Sequence, residues 1–204
     1  MKESESKNAS RADNQQERLI NIGWIVGFVD GEGCFSVNFV KQTNRQESTR
    51  IRKGYKIGYQ IAHEFSVVQG EKSLEVLKML KDFFGVGNIY VNRRYDNHKE
   101  NLYRYTVSKR SDLIDTIIPF FDSNRLKTSK QNDFEFFKQC MSLIEKGEHK
   151  TPSGAIKIAL LCEKMNHKKP RTELIRILRN QTPNSKSSDE LEKIEFYLHG
   201  DMQP

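Results

Sequence analysis

The chain has 204 residues, 36% hydrophobic and 30% charged, with a net charge of +7 at neutral pH. That is enough chain to bury one proper core. No apolar run approaches the roughly 18 residues of a membrane span, and the N-terminus carries no apolar secretion-signal core. A protein of the cytoplasm, nucleoid or an organelle is expected, not secreted and not membrane-bound. Its three cysteines, Cys34, Cys140 and Cys162, form no CxxC pair and are expected as reduced, mostly buried thiols rather than disulfide or zinc partners.

Residues 1–16 are polar, balanced in charge and without periodicity, which predicts a disordered tail. From Leu19, Ile20, Ile22 and Trp24 onward an apolar pattern predicts a helix over 17–31. Gly23, Gly27 and Gly31 recur every four residues along it, a stripe where a second backbone can approach closely beside Trp24. An interior glycine costs roughly 1 kcal/mol relative to alanine, and close helix–helix contact would offset that. The stripe ends in two carboxylates, Asp30 and Glu32, within a glycine-rich stop. A carboxylate there suits a hard metal ion; a core helix with a glycine stop accounts for the same spacing equally well.

Residues 34–41 alternate, with Phe35, Val37 and Phe39 on one side and Ser36 and Asn38 on the other. A basic connection over 42–54 leads to a second alternating run at 55–68. Tyr55, Ile57, Tyr59, Ile61, Phe65 and Val67 make its apolar face, and Lys56, Gln60, Glu64 and Ser66 its polar one. Residues 71–84 switch to helical spacing and stop at Gly85 and Gly87. A second hairpin follows, with strands near 88–94 and 101–108. Ile89, Val91, Tyr103, Tyr105 and Val107 face the core there, opposite Tyr90, Asn92, Arg94, Arg104, Thr106 and Ser108. A short helix over 111–121 is expected to break near Pro119, and helices over 129–146, 153–165 and 171–180 follow. The domain is thus 17–180, and 181–204 form a linker with a last helix near 188–198.

Helix, two strands, helix, two strands, helices is an α+β order in which an antiparallel four-stranded sheet is backed by helices on its apolar face. The positive charge is concentrated. Residues 41–56 hold Lys41, Arg45, Arg50, Arg52, Lys53 and Lys56 against Glu47. Residues 93–110 hold Arg93, Arg94, Lys99, Arg104, Lys109 and Arg110 against Asp96 and Glu100. One such run is ordinarily a solvated loop, but two of them flanked by strand patterns suggest a phosphate-binding surface. The polar sheet face carries residue types that pair with base edges and phosphates, as a merely solvated face also would.

Ile25-Val26-Gly27-Phe28-Val29-Asp30-Gly31-Glu32-Gly33 resembles the nine-residue motif that names the LAGLIDADG homing endonucleases, and the αββαββα order over about residues 19–165 is similar to theirs. The resemblance implies that two such helices pack through Gly23, Trp24, Gly27 and Gly31. It makes Glu32, with the Gly31 carbonyl, the ligand of Mg²⁺ or Mn²⁺; many members have Asp in place of this Glu. It lays the sheet along the DNA major groove, with Ser36, Asn38, Lys56, Gln60, Glu64, Ser66, Tyr90, Asn92, Arg94, Arg104 and Thr106 on the DNA side. Lys41, Arg45, Arg52, Lys53 and Arg93 lie at the basic hairpin ends, toward flanking phosphates. Gln69 matches a water-ordering position and Lys127 a basic position near the scissile phosphate. Lys72 is a candidate second cation, although the family's basic slot falls on Ser73. The motif occurs once, which implies a homodimer cutting both strands of double-stranded DNA at a long pseudo-palindromic site. Two rival readings share the fold: an intron RNA maturase, and a DNA-binding regulator without cleavage, in which the acidic position would often be lost.

Overall fold

The structure, a computed structural model, describes residues 2–42, 45–46, 51–52, 54–93, 100–165 and 170–181, with backbone alone for 2–14, 45–46 and 51–52. Lys53, Arg94 and the expected linker and last helix beyond 181 lie outside the described residues. Helix α1 spans Lys2–Glu32. It starts far ahead of residue 17, so the expected disordered tail is corrected to a helix. Nine of residues 2–16 are Lys, Glu, Ala, Arg or Gln, good helix formers, and extending a helix already nucleated costs little.

Strand β1 (Gly33–Lys41) follows without a break, and the connection after it contains a short ribbon of β2 (Arg45–Gln46) and β3 (Ile51–Arg52), not an irregular loop. Strand β4 (Tyr59–Gly70) starts later than the alternation suggests, because Tyr55 to Gly58 form a turn closed by a 2.8 Å hydrogen bond, leaving Tyr55 exposed. A 3₁₀ turn (Glu71–Ser73) leads into α2 (Leu74–Phe84), then β5 (Asn88–Asn92) and β6 (Leu102–Val107). The sheet order is β1-β4-β6-β5, with β6 antiparallel to both β4 and β5. Gly85 sits at φ 67°, the left-handed position that closes α2 onto the Lys81 carbonyl.

Helix α3 (Arg110–Asp112), a π-helical turn (Leu113–Ile117) and α4 (Ile118–Ser123) run on from one another. The interruption expected near Pro119 takes the form of the π-helical turn just ahead of it; the helical run does not end there, and Pro119 falls in the first turn of α4, where a proline is tolerated. Helices α5 (Lys130–Glu145), α6 (Pro152–Lys164) and α7 (Thr172–Asn180) follow among the described residues.

The chain divides into two compact units, one of residues 1–34 and 65–131, the other of 35–64 and 132–204. In the first, Phe65 lies 5.7 Å from Phe121 and 6.2 Å from both Phe84 and Tyr105, ring centre to ring centre. Leu77, Leu80, Leu113 and Ile117 are buried in this unit too. Tyr105 donates its hydroxyl to the Val86 carbonyl at 2.9 Å, and burial, helped by Asp112, holds its pKa well above the ordinary tyrosine value. Val91, expected inward, is exposed on the edge strand β5. In the second unit, Phe35 packs against Phe134 and Phe137, and the face of α6 from Ala155 to Cys162 is buried. All three cysteines are free; Cys140 and Cys162 are buried thiols in hydrogen-bonding contact, an arrangement that raises the pKa of the first and lowers that of the second.

Candidate active site

The last turn of α1 gives its two carboxylates opposite surroundings. Asp30 is only 9% exposed. It accepts from the Lys127 N–H at 2.7 Å, from the Thr128 N–H at 3.0 and 3.2 Å, and from the Thr128 hydroxyl at 2.6 Å. Lys127 and Thr128 lie just ahead of α5, where the positive end of that helix favours an anion. The Thr128 hydroxyl also accepts from the Lys130 N–H at 3.2 Å, while the Lys130 ammonium donates to the Gly33 carbonyl. A cation at that spot complements the negative end of α1. Loop 126–130 is therefore clamped to the foot of the motif helix from two sides.

Glu32 is exposed, and no described residue hydrogen-bonds its carboxylate. It is held in place by its backbone: a Cβ on Gly33 would stand 2.6 Å from Val29 Cγ1 and 2.7 Å from the Val29 carbonyl oxygen, so only glycine lets the chain turn into β1 there. Lys127 is brought to the end of α1 through its own N–H, with its side chain exposed. Gln69, half-buried opposite Tyr103 in β4, and the exposed Lys72 stand at the β4–α2 junction; among the described residues no hydrogen bond ties either one to the Asp30 cluster.

The glycine stripe faces outward. A Cβ added at Gly23, Gly27 or Gly31 would meet no described atom within 4 Å beyond its chain neighbours and the helix's own backbone. Beside it Trp24, 40% exposed, stacks on Phe28 at 4.9 Å, and Leu19 and Ile20 are more than 60% exposed. Among the described residues no packing contact requires glycine at these positions.

In the first unit the sheet register sets Val68, Arg104 and Tyr90 in one cross-strand row, and Ser66, Thr106 and Asn88 in the next. Tyr90, Asn92 and Arg93 are exposed. Ser66 and Thr106 lie on the expected face but are only 2% and 8% exposed, a correction to their reading as surface contacts. Arg104 reaches over to donate to the Ser66 hydroxyl at 3.1 Å. In the second unit Asn38, Lys41, Lys56 and Gln60 are exposed, Ser36 and Glu64 half-buried, and Gln42 donates to Gln60 at 3.0 Å. Arg45 and Arg52 are paired across the β2–β3 ribbon by backbone register.

Sequence reasoning missed Asp30, Thr128 and Lys130 as one network, because Asp30 and Thr128 are 98 residues apart. The available signal was Thr-Ser-Lys just before an apolar helical run, a pattern common at helix starts.

The family model described as LAGLIDADG endonuclease matches residues 25–141, over half the chain, and covers α1 from Ile25 to Met141 in α5. Among curated proteins, the Neurospora crassa "Probable intron-encoded endonuclease 2" is 33% identical over 135 residues, 66% of this chain and 25% of that one. The Mycosarcoma maydis "Probable intron-encoded DNA endonuclease 1" is 28% identical over 76% of this chain and 50% of its own length. The chain thus spans a quarter to a half of the curated relatives named. Among solved structures, the homing endonuclease I-TnaI is 36% identical with a TM-score of 0.62, covering 79% of this chain and 97% of that one. I-SmaMI bound to cleaved DNA is 30% identical with a TM-score of 0.62, over 79% of this chain and 49% of that one. The helix ending in Asp30 and Glu32, the sheet that follows it and these likenesses agree: the chain belongs to the LAGLIDADG endonuclease family.

Proposed function

We propose that this chain is a site-specific, homing-type DNA endonuclease that works as a homodimer and makes a divalent-metal-dependent double-strand break at a long, nearly palindromic target. The observation that carries the reading is the division of labour at the end of α1. Asp30 is saturated by donors from loop 126–130, and Glu32 stands free at the end of an outward-facing glycine stripe.

Among the described residues no group of three or more His, Cys, Asp or Glu could hold a metal ion as a cage. A free carboxylate at the foot of α1 suits a hard cation that keeps waters and takes phosphate oxygens from its substrate. Glu32 and the Gly31 carbonyl would hold Mg²⁺ or Mn²⁺, and a second copy packed through Gly23, Trp24 and Gly27 would bring the second Glu32. The cation, when bound, activates water and offsets charge on the leaving oxygen. Lys127, fixed by its backbone, would stabilise charge growing on the scissile phosphate, and Gln69 would orient water. Lys72 would add a second cation.

Asn38, Gln60, Tyr90, Asn92 and Arg104 would read base edges, while Lys41, Lys56 and Arg93 would meet phosphates, as would Arg45 and Arg52 from the ribbon. Solved relatives described as bound to DNA support that partner. Such an enzyme acts where its DNA lies, in the cytoplasm or nucleoid or in an organelle; among the described residues no helix is long and apolar enough to cross a membrane.

The test is cleavage of a plasmid library carrying randomised palindromic inserts in Mg²⁺, with EDTA and Glu32→Gln as controls. Metal-dependent cutting at one extended site, lost in the variant while binding remains, is expected. Binding without cutting by the native protein would move the reading to a regulator, and a preference for intron RNA to a maturase.

A further inference from the structure

Arg171 stands immediately ahead of α7, half-buried within the second unit. One guanidinium nitrogen, Nη2, donates to the Val37 carbonyl at 3.2 Å, and the group lies 5.7 Å from the centre of the Phe39 ring. Its backbone N–H donates to the Glu163 carboxylate at 2.5 Å, which ties it to the last turn of α6. Its Nε is buried and has no hydrogen-bond partner among the described residues. An apolar side chain would fill this space without leaving a donor unmade, so packing alone does not explain an arginine here. The bond to Val37 does.

Among the described residues β1 is an edge strand, with a ladder neighbour on one side only, so the backbone groups on its other side point away from the sheet. The Val37 carbonyl shares one rigid peptide plane with the Asn38 nitrogen. Val37 itself is anchored in the core, and Ser36 and Asn38 lie on the opposite face of the strand. Holding that carbonyl therefore sets the tilt of the peptide from which Asn38 projects.

We propose that Arg171 is a positioning residue for base readout: it locks the free edge of the sheet at the 37–38 peptide and so fixes Ser36 and Asn38 against the DNA. This rests on the reading of the polar sheet face as a DNA surface. Without the lock the edge strand can flex, and side chains displaced by an ångström no longer discriminate between base edges. Arg171 touches no nucleotide in this account, so its loss spares the cleavage chemistry.

The experiment takes the native target from the library selection and measures relative binding and cleavage across all single base-pair variants. Asn38→Ala and Asn92→Ala mark which base pairs each strand reads. Arg171→Met, which keeps a side chain of comparable length but removes the guanidinium from both the Val37 carbonyl and the Phe39 ring, is expected to reduce discrimination from about tenfold to near unity at the Asn38 base pairs only, and Arg171→Lys to restore part of it. Cleavage of the native target should stay within about threefold of the unaltered protein. If Arg171→Met does not fold, Arg171→Lys alone carries the test, with partial broadening confined to the same base pairs. A profile unchanged from native, or a uniform loss at every base pair including those of Asn92, would overturn the proposal. Failure of the native protein to bind any DNA selectively would instead overturn the DNA reading on which it rests.

Discussion

Removing the carboxylate of Asp30 and neutralising that of Glu32 should have opposite consequences, although the two residues are neighbours but one. Asp30→Ala deletes the acceptor of three donors, two N–H groups and a hydroxyl, at 2.6 to 3.2 Å. Hydrogen bonds to a charged group contribute about 1.5–3 kcal/mol each when buried; these donors sit in an exposed loop where water can replace part of the loss, so about 1 kcal/mol apiece is appropriate. Two helix ends act on this anion in opposite senses, the negative end of α1 repelling it and the positive end of α5 attracting it by a similar amount, so their contributions offset one another. The net loss is about 3 kcal/mol, which for a chain of this size lowers Tm by about 6–12 °C. Glu32→Gln loses no hydrogen bond and relieves the same dipole repulsion, so its Tm should equal or slightly exceed that of the native protein. Circular-dichroism melts at one fixed protein concentration, which a dimer requires, together with cleavage of the selected target, give both readouts. Asp30→Ala should be unstable, and Glu32→Gln stable and inactive. An Asp30→Ala melt within about 2 °C of native, or a Glu32→Gln melt as depressed as that of Asp30→Ala, would refute the assignment of one carboxylate to structure and the other to chemistry.

Three other substitutions test separate links. Gly27→Leu should leave the single chain folded, because a Cβ there meets no described atom within 4 Å beyond its chain neighbours and the helix's own backbone, while light scattering shows monomer in place of dimer and cleavage is lost. Gly33→Ala should cost about 2 kcal/mol or more in urea unfolding, since its methyl would press on the Val29 backbone carbonyl, which cannot swing away as a side-chain tip can. The raised pKa of Tyr105 means the folded chain binds that proton more tightly than the unfolded one, so its contribution is complete below pH ~10 and fades as pH rises further. Tyr105→Phe should remove this alkaline sensitivity and cost about 1 kcal/mol at neutral pH for the unmet Val86 carbonyl, as read from urea unfolding at several pH values.

What sequence patterns revealed were the faces. Phe35, Val37, Phe65, Val67, Tyr105 and Val107 alternate with polar neighbours, and all six are buried. Period-two alternation is a local property that survives whatever the strand packs against. What covers a polar face is not local: Ser66 reads as a surface serine until Arg104, 38 residues on, folds over it. The same limit hid the clamp on Asp30 and the reach of Arg171 to β1, 134 residues away. The start of α1 was misjudged for another reason. A polar, aperiodic stretch looks disordered by composition, yet it is built of good helix formers and extends a helix that packing has already nucleated.

The same clamp gives the two acidic positions different tolerance for side-chain length. At position 30 the carboxylate is met by donors fixed on the backbone of loop 126–130, and one extra methylene would drive it into them. At position 32 the side chain is open, so the longer glutamate is accommodated by rotation alone. Asp30→Glu should therefore destabilise by about 1–3 kcal/mol, the usual range for overpacking, and loosen the loop that carries Lys127. Glu32→Asp should leave Tm unchanged and alter only the metal concentration needed for half-maximal cleavage, because it withdraws an exposed ligand by about 1.5 Å without touching the fold. A titration of Mg²⁺ beside a thermal melt separates the two. Equal stability loss in both variants, or in neither, would mean that the loop does not distinguish the positions, and the separation of structural from metal-binding acid would fail with it.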